Sequence, residues 1–295
     1  MKLIPVLIMT FILLSGCAGS RGLTAQGNAR ADNGRVRAAF DNWLKLMDEN
    51  PDEAQKAYAE LSELAPEAGW VRYDGAIMHL KLNALKRAEA ELIAALKRGA
   101  SPARALPARV YNALGAVYLA DGKNAEAYQA FKKAYGAGIL PAAIINLANT
   151  EQIMGQSEAA LKHYREAEIL DGANQLLHYN MGIVFYRMGN YNQAQEEFAK
   201  ALALGKKDVR ISLCQAQTLF KLGEYEKGLD IIREIPGNDL TRPYLYKNTG
   251  IVHEIYLGDM DKASEAYSVY ISITKDKEAE AWLDTIKSRA MKQDR

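Results

Sequence analysis

Apolar and small residues follow helical spacing in two runs between Gln175 and Leu204, and the two runs meet at Gly189. Spacings of three and four residues place them on one face of each helix. Glycine readily adopts the left-handed conformation with which many helices end. The pattern therefore predicts a helix–turn–helix unit with large anchors at Met181, Phe185 and Phe198 and small anchors at Gly182, Ala194 and Ala201.

The same arrangement recurs along the chain with a nearly constant period. Its anchors are Gly115, Ala148, Gly182, Ala216 and Gly250, which are separated by 33, 34, 34 and 34 residues. A period of this length is the signature of repeat proteins, in which each helical pair covers the apolar face of the next. The sequence therefore predicts a stack of helical pairs and disfavours an unrelated helical bundle.

These anchors resemble the tetratricopeptide repeat family. Its unit has small residues at the eighth, twentieth and twenty-seventh positions and aromatic residues at the eleventh and twenty-fourth. The resemblance implies an all-α fold, a right-handed superhelix, or solenoid, of helix-turn-helix repeats with a C-terminal capping helix. Within one unit, Gly182 and Ala194 would mark the close approach of the two helices, and Phe185 and Phe198 would fill the space around it.

The repeat region is predicted to span residues 36–277. It begins with a degenerate first pair over residues 36–64 and continues with about six repeats. Residues 278–295 are predicted to form the capping helix and tail, because a repeat stack needs a cover for its last apolar face.

Two repeats depart from the regular spacing. The first full repeat is anchored at Gly75, with Asn83 near its turn and one extra residue in that turn. The last repeat, anchored at Gly250, also has one extra turn residue. Surplus residues between Gly99 and Arg109 include two prolines, which interrupt a continuous helix.

The N-terminus carries a second signal. Lys2 precedes an apolar run from Leu3 to Leu14, which is too short to span a bilayer as a helix and is typical of a secretory signal. The run ends in Leu-Ser-Gly-Cys, which resembles the lipobox of bacterial lipoproteins. The resemblance implies a signal peptide over residues 1–16 and acyl chains on Cys17, and these anchor the protein to a membrane.

Residues 17–35 are then predicted to form a flexible tether, because they are rich in small and polar residues and have no apolar period. The sorting pattern of the lipoprotein family implies an outer-membrane location facing the periplasm. The alternative is an ordinary secretion signal with an incidental cysteine.

Charge and cysteine content narrow the functional classes. The chain has 37 basic and 36 acidic residues, a balance without the basic excess typical of nucleic-acid binding. Its second cysteine, Cys214, is predicted to be a structural thiol.

The sequence contains no phosphate-binding loop, nucleophile elbow or paired-histidine zinc motif, so we expect a protein that is not an enzyme and has no cofactor or metal. Of the four histidines, His253 is expected to be buried at the aromatic eleventh position of its repeat. His79 is expected to face the groove. His163 and His178 share one repeat boundary but have no convincing acidic partner in the sequence.

The family resemblance also implies a groove lined by the second, fifth, ninth and twelfth positions of each first helix. The Lys and Asn pair with which some members hold a C-terminal carboxylate is not reproduced. An aromatic and aliphatic strip with polar edges suits a segment of another protein. The candidate partner-binding residues are Asn112, Ile145, Asn149, Tyr179, Ile183, Tyr186, Leu213, Gln217 and Phe220. Alternatively, these residues pack against neighbouring helices or form a self-association surface.

The expected function is a membrane-anchored, non-catalytic scaffold that binds segments of envelope proteins. Among tetratricopeptide lipoproteins the chain looks most similar to those that serve assembly of a pilus or a secretion complex. One alternative is an adaptor for envelope proteases or peptidoglycan hydrolases. An alternative of another class is an enzyme or glycan-binding protein that uses the concave face.

Overall fold

The computed structural model describes residues 33–97, 106–205, 208–235 and 242–293, and every regular element in these ranges is helical. The predicted signal peptide, Cys17 and most of the predicted tether lie outside the described residues. The helices are α1 (Asn33–Glu49), α2 (Pro51–Leu64), α3 (Gly69–Lys81), α4 (Leu85–Lys97), α5 (Leu106–Ala120), α6 (Asn124–Ala137), α7 (Pro141–Ile153), α8 (Ser157–Leu170), α9 (Gln175–Arg187), α10 (Tyr191–Leu204), α11 (Val209–Lys221), α12 (Tyr225–Arg233), α13 (Arg242–Ile251, continued by a π-helical segment, Val252–Leu257), α14 (Met260–Thr274) and α15 (Lys277–Gln293).

The chain divides into two compact units, with the boundary between Gly172 and Ala173. In unit 1, consecutive helices pack as the pairs α1–α2, α3–α4, α5–α6 and α7–α8. In unit 2 the pairs are α9–α10, α11–α12 and α13–α14, and α15 packs on α14. The all-α arrangement of helical pairs agrees with the predicted fold class. Among the described helices, none combines the length and the apolar character needed to cross a bilayer.

The turns between paired helices use a left-handed residue at a fixed place. Gly189 has φ +79°, as the sequence predicts, and Asn190 N–H donates to the Phe185 carbonyl over 2.9 Å to close the turn. The same conformation occurs at Gly122, Gly155, Gly223 and Gly258. A side chain is strained in this conformation, which explains why glycine recurs there.

Small residues on the first helix of a pair make room for aromatic rings from the second. A Cβ atom built on Gly182 would lie 2.6 Å from a ring carbon of Phe198, whose side chain is fully buried. Gly115 and Phe131 in α5–α6 form the same contact, with 2.5 Å to the nearest ring carbon. These contacts explain the small-residue anchors of the repeat, because any larger residue would displace the ring.

The predicted register of the first full repeat is wrong by one residue. Asn83, with φ +55°, ends α3 as the turn glycines end the other first helices, and it lies seven residues after Ala76. Gly122 likewise lies seven residues after Gly115, so the fully buried Ala76 is the anchor. Gly75 instead meets the ring of Tyr58 from the preceding pair.

The extra residue of the last repeat lies in the helix and not in the turn, contrary to the prediction. Residues Val252–Leu257 widen into a π-helical segment, and Asp259 N–H donates to the His253 carbonyl over 2.9 Å. This bond spans one residue more than the equivalent bond from Asn190 to Phe185. The π segment therefore absorbs the insertion before the chain reaches Gly258.

The two ends of the described chain are closed by apolar contacts. In unit 1, Phe40 and Trp43 of α1 are buried against Tyr58 and Leu61 of α2. In unit 2, Leu283 and Ile286 of α15 pack against Ala263 and Tyr267 of α14. The helix α1 begins at Asn33, slightly before the predicted start of the repeat region at residue 36.

Candidate functional site

The candidate residues of unit 1 are largely withdrawn from solvent. Asn112 and Ile145 are each only 7% exposed. The Asn112 side-chain oxygen accepts a hydrogen bond of 2.9 Å from Asn146, and the Asn149 side-chain oxygen accepts one of 2.5 Å from the Tyr164 hydroxyl. Asn112 and Ile145 therefore fit the alternative interpretation, in which candidate residues pack against neighbouring helices.

The candidate residues of unit 2 form a more open surface, which we call the first-helix face. Tyr179, Ile183 and Tyr186 project from α9 and are half-buried. On α11, Leu213 and Phe220 are half-buried, and Gln217 is exposed. The first-helix face consists of Tyr179, Ile183, Tyr186, Leu213, Gln217 and Phe220.

The tyrosines of this face are held by other aromatic rings. The Tyr179 ring lies 6.1 Å from that of Phe198, and burial raises the pKa of Tyr179 to about 12. The Tyr186 ring meets that of Tyr191 edge-on at 5.4 Å. Fixed, partly exposed rings lose little entropy when a ligand covers them, so they suit the role of anchors.

Phe220 has a structural role as well. Its ring occupies the space that a side chain at Gly228 would need, and it packs with Ile232 and Leu213 in the core of α11–α12. Replacing Phe220 with a much smaller or polar residue would therefore disturb the packing of α11 on α12 as well as the exposed surface.

An apolar edge that the sequence analysis missed lies beside this face. We call it the π lip, and it consists of Tyr225, Ile255 and Tyr256. Ile255 and Tyr256, both in the π segment, are 63% and 45% exposed. The rings of Tyr225 and Tyr256 stack with centroids 4.8 Å apart and planes 24° apart. The sequence signal for this edge was the one-residue insertion after Gly250. Such an insertion can form a π segment, and π segments often occur at functional sites.

Cys214 lies at the margin of the same face. Its thiol is half-buried, and burial raises its pKa. The nearby ion pair between Arg210 and Asp208, with 2.6 Å between nitrogen and oxygen, lowers the pKa of Asp208 through its hydrogen bonds. A thiol with a raised pKa is poorly nucleophilic, which agrees with a structural role.

The structure gives two histidines the acidic partners that the sequence did not reveal. His163 Nδ1 lies 2.7 Å from a carboxylate oxygen of Glu151, and His178 Nδ1 lies 2.7 Å from one of Glu197. Lys200 approaches the other oxygen of Glu197 at 2.8 Å. Among the described residues, no group of three or more histidine, cysteine or acidic side chains is placed to hold a metal ion.

The other two histidines are buried. His253 is 3% exposed, as predicted, and burial lowers its pKa. His79 is only 7% exposed and packs edge-on to Tyr58 with ring centroids 6.0 Å apart, so the prediction that it faces a groove is wrong. The corrected register explains this, because anchoring the repeat at Ala76 moves His79 to the eleventh position, the one that His253 occupies.

Comparisons with known proteins agree with this architecture. Models of the tetratricopeptide repeat match residues 108–137 and 175–208, which correspond to the pairs α5–α6 and α9–α10. A comparison with curated proteins by sequence gave no match.

Solved structures share the fold at low sequence identity. The C-terminal part of a tetratricopeptide repeat protein from Cytophaga hutchinsonii is 15% identical, with a TM-score of 0.66 over 83% of this chain and 98% of that one. PilF of Pseudomonas aeruginosa is 18% identical, with a TM-score of 0.58 over 75% of this chain and 98% of that one. The type IV pilus biogenesis factor PilW is 14% identical, with a TM-score of 0.61 over 68% of this chain and 92% of that one.

The chain spans only about half of another similar structure. In the APC/C hetero-tetramer Cut9–Hcn1 it covers 48% of the matched chain, with 83% of its own length, 14% identity and a TM-score of 0.60. These likenesses establish the fold and leave the function to the chemistry of the surface.

Proposed function

We propose that this chain, which is a tetratricopeptide repeat protein, is a non-catalytic scaffold that binds segments of other envelope proteins on the first-helix face of unit 2. Acyl chains on Cys17 anchor it to the outer membrane, so that the repeats face the periplasm. The lipobox-like sequence supports this anchorage, because several acyl chains give lasting attachment to a bilayer.

One observation carries the binding role. The first helices of unit 2 expose parts of Tyr179, Ile183 and Tyr186 together with the exposed Gln217. Aromatic and aliphatic side chains with polar edges are the usual composition of a protein-binding surface. Unit 1 has no equivalent among the candidates, since Asn112 and Ile145 are buried.

The pathway that fits best is assembly of a type IV pilus. Its support is the shared fold of PilF and of PilW, a type IV pilus biogenesis factor, together with the lipoprotein-like N-terminus of this chain. This part of the proposal is an analogy between folds, and it requires a direct test.

Site-specific photocrosslinking in cells tests the binding surface. A photoreactive phenylalanine derivative at Gln217 places the probe in the middle of the first-helix face without removing a packed side chain. The matched control carries the same probe at Glu196, which is exposed on the second helix α10. Mass spectrometry then identifies the proteins attached at each position.

We expect adducts with envelope proteins from position 217 and none of the same proteins from position 196. Pilus-assembly proteins among the adducts would support the proposed pathway. Equal adducts from both positions would contradict binding on this face. A Cys17→Ser variant that still fractionates with the outer membrane would contradict the lipid anchor.

A further inference from the structure

The overall charge balance conceals a separation of charge within unit 2. The first helices α9, α11 and α13 contain no acidic residue. Their basic residues are Arg187, Arg210, Lys221, Arg242 and Lys247. The second helices α10, α12 and α14 contain the acidic residues Glu196, Glu197, Glu226, Asp230, Asp261 and Glu265, interspersed with basic ones. The first-helix side of unit 2 therefore has a basic character that net charge does not reveal.

Two of these basic residues are available to a ligand. Arg187 and Lys221 end α9 and α11, occupy equivalent positions in adjacent repeats and are exposed. Within the described part of the chain, neither of them forms an ion pair. Burial raises the pKa of Tyr186, and the positive charge of Lys221, which lies near that hydroxyl, opposes the shift. Arg210, in contrast, is already paired with Asp208.

Among the described residues, the π segment that continues α13 contains one acidic group, and this group accepts a hydrogen bond. Glu254, in the π segment, accepts a hydrogen bond of 2.9 Å from the hydroxyl of Tyr267. Next to it in sequence, Ile255 and Tyr256 expose apolar surface at the π lip. A cationic margin thus accompanies an apolar and aromatic surface within one unit.

We infer that the first-helix face of unit 2 binds an acidic, extended segment of a partner protein, with its carboxylates at Arg187 and Lys221 and an apolar side chain against the π lip. This inference rests on the proposed function and specifies the chemistry of its partner. A carboxylate forms its strongest hydrogen bonds with cationic side chains, and complementary charge favours an acidic partner over a neutral or basic one.

Aromatic and basic residues together can also bind single-stranded nucleic acid, in which bases stack on the rings. The arrangement here favours a protein segment, because the exposed apolar surface is partly aliphatic and the tyrosines Tyr225 and Tyr256 stack on each other. Ile183 and Ile255 would contact methyl and methylene groups of side chains and offer no ring to a base. The test therefore includes a single-stranded nucleic acid as a comparison probe.

The test measures binding of synthetic peptides to the purified full chain by fluorescence anisotropy. The main probe is a 12-residue peptide in which acidic and apolar side chains alternate. A neutral twin has Gln and Asn for Glu and Asp, a basic twin has Lys for the acids, and a polar twin has Ser for the apolar residues. A 12-nucleotide oligothymidylate is the fifth probe.

We expect the acidic, apolar peptide to bind more tightly than every other probe. Lys221→Glu should weaken it about tenfold and should strengthen binding of the basic twin. Lys227→Glu is the matched control, because Lys227 is exposed on the second helix α12 in a surface ion pair with Glu224. It should change affinity by less than about twofold.

The π lip has a separate readout. Tyr256→Ala should weaken the acidic, apolar peptide about fivefold and leave the polar twin unchanged, since the lip contacts only apolar side chains. Circular dichroism checks that each variant remains helical, which matters for Tyr256 because it is 45% exposed and its ring stacks on that of Tyr225.

Equal binding of the acidic and neutral peptides, equal effects of Lys221→Glu and Lys227→Glu, or tighter binding of oligothymidylate would each overturn the inference. The proposed function would survive the first two outcomes if crosslinks from position 217 identify partner proteins whose bound segments are not acidic. The two proposals can therefore fail separately.

Discussion

Replacing Gly182 with alanine tests how the helical pairs are held together. In most helices this change is stabilising by about 1 kcal/mol, because glycine loses more backbone entropy on folding than alanine. Here the new methyl group would lie 2.6 Å from one ring carbon of Phe198 and 2.7 Å from another. Real Cβ atoms essentially never come that close, so the ring or the helix must move.

The magnitude follows from the burial of the ring. Phe198 is 0% exposed and has no solvent-facing side into which it can shift. Overpacking of a well-filled core costs about 1–3 kcal/mol. With the ring enclosed, the cost belongs near the upper end of that range and exceeds the gain in backbone entropy. We therefore expect Gly182→Ala to lower the free energy of unfolding by about 1–2 kcal/mol.

Urea unfolding followed by circular dichroism measures this change, with hydrogen exchange of α9 and α10 to locate it, since repeat stacks can unfold in parts. The matched control is Gly136→Ala in α6, where a Cβ atom would meet nothing within 4 Å. It should stabilise by about 0.5–1 kcal/mol. The double variant Gly182→Ala, Phe198→Leu should recover part of the loss. A Gly182→Ala protein as stable as the wild type would refute the reasoning.

Three further predictions concern charge, hydrogen bonding and the π segment. Burial raises the pKa of Asp74 to about 7 despite the opposing effect of Arg109, so between about pH 4 and pH 7 the folded state binds a proton that the unfolded state has lost. The free energy of unfolding should therefore fall as the pH rises through this range. In urea unfolding at pH 8, Asp74→Asn should be more stable than the wild type. Glu197→Ala leaves the buried His178 without its carboxylate and should cost about 2–4 kcal/mol in the same assay. Deleting Ile255 should convert the π segment to α-helix, preserve or raise thermal stability, and weaken the acidic peptide of the binding test.

Each of these has its own control. At pH 5 the difference between Asp74→Asn and wild type should shrink, and an unchanged difference would contradict titration of Asp74. Glu196→Ala removes an exposed carboxylate next to Glu197 and should have an effect within about 0.5 kcal/mol. If deletion of Ile255 leaves the affinity for the acidic peptide unchanged, the π lip takes no part in binding.

Much of the fold could be predicted from the sequence, because the repeat fixes it at many positions at once. The left-handed Gly189 follows from its place between the two helical runs, and the family resemblance implies that Gly182 and Phe198 lie near the same helix crossing, where the structure brings them into contact. The register error at Gly75 has a physical cause. Two small residues, Gly75 and Ala76, are adjacent in sequence, and the left-handed backbone of Asn83 and the contact of Gly75 with Tyr58 show that Ala76 is the anchor.

The candidate site was less predictable, because it depends on contacts between helices. His178 and Glu197 are 19 residues apart on different helices, and no local pattern joins them. The candidate residues also differ in exposure in a way that their spacing does not show: Gln217 is exposed, whereas Ile145 is buried. The charge separation in unit 2 could have been found from sequence, since it needs only the assignment of residues to first and second helices.

The π segment has a consequence for how such a protein can change over generations. Gly250 still meets the ring of Tyr267, and Gly258 still closes the turn, so the additional residue is confined between two intact anchors. One inserted residue turns the following helical surface by about 100°. Insertion of a single codon can thus change the exposed surface of one repeat and leave its packing against neighbouring repeats unchanged. Diversity of recognition then needs no new fold and no coordinated set of substitutions.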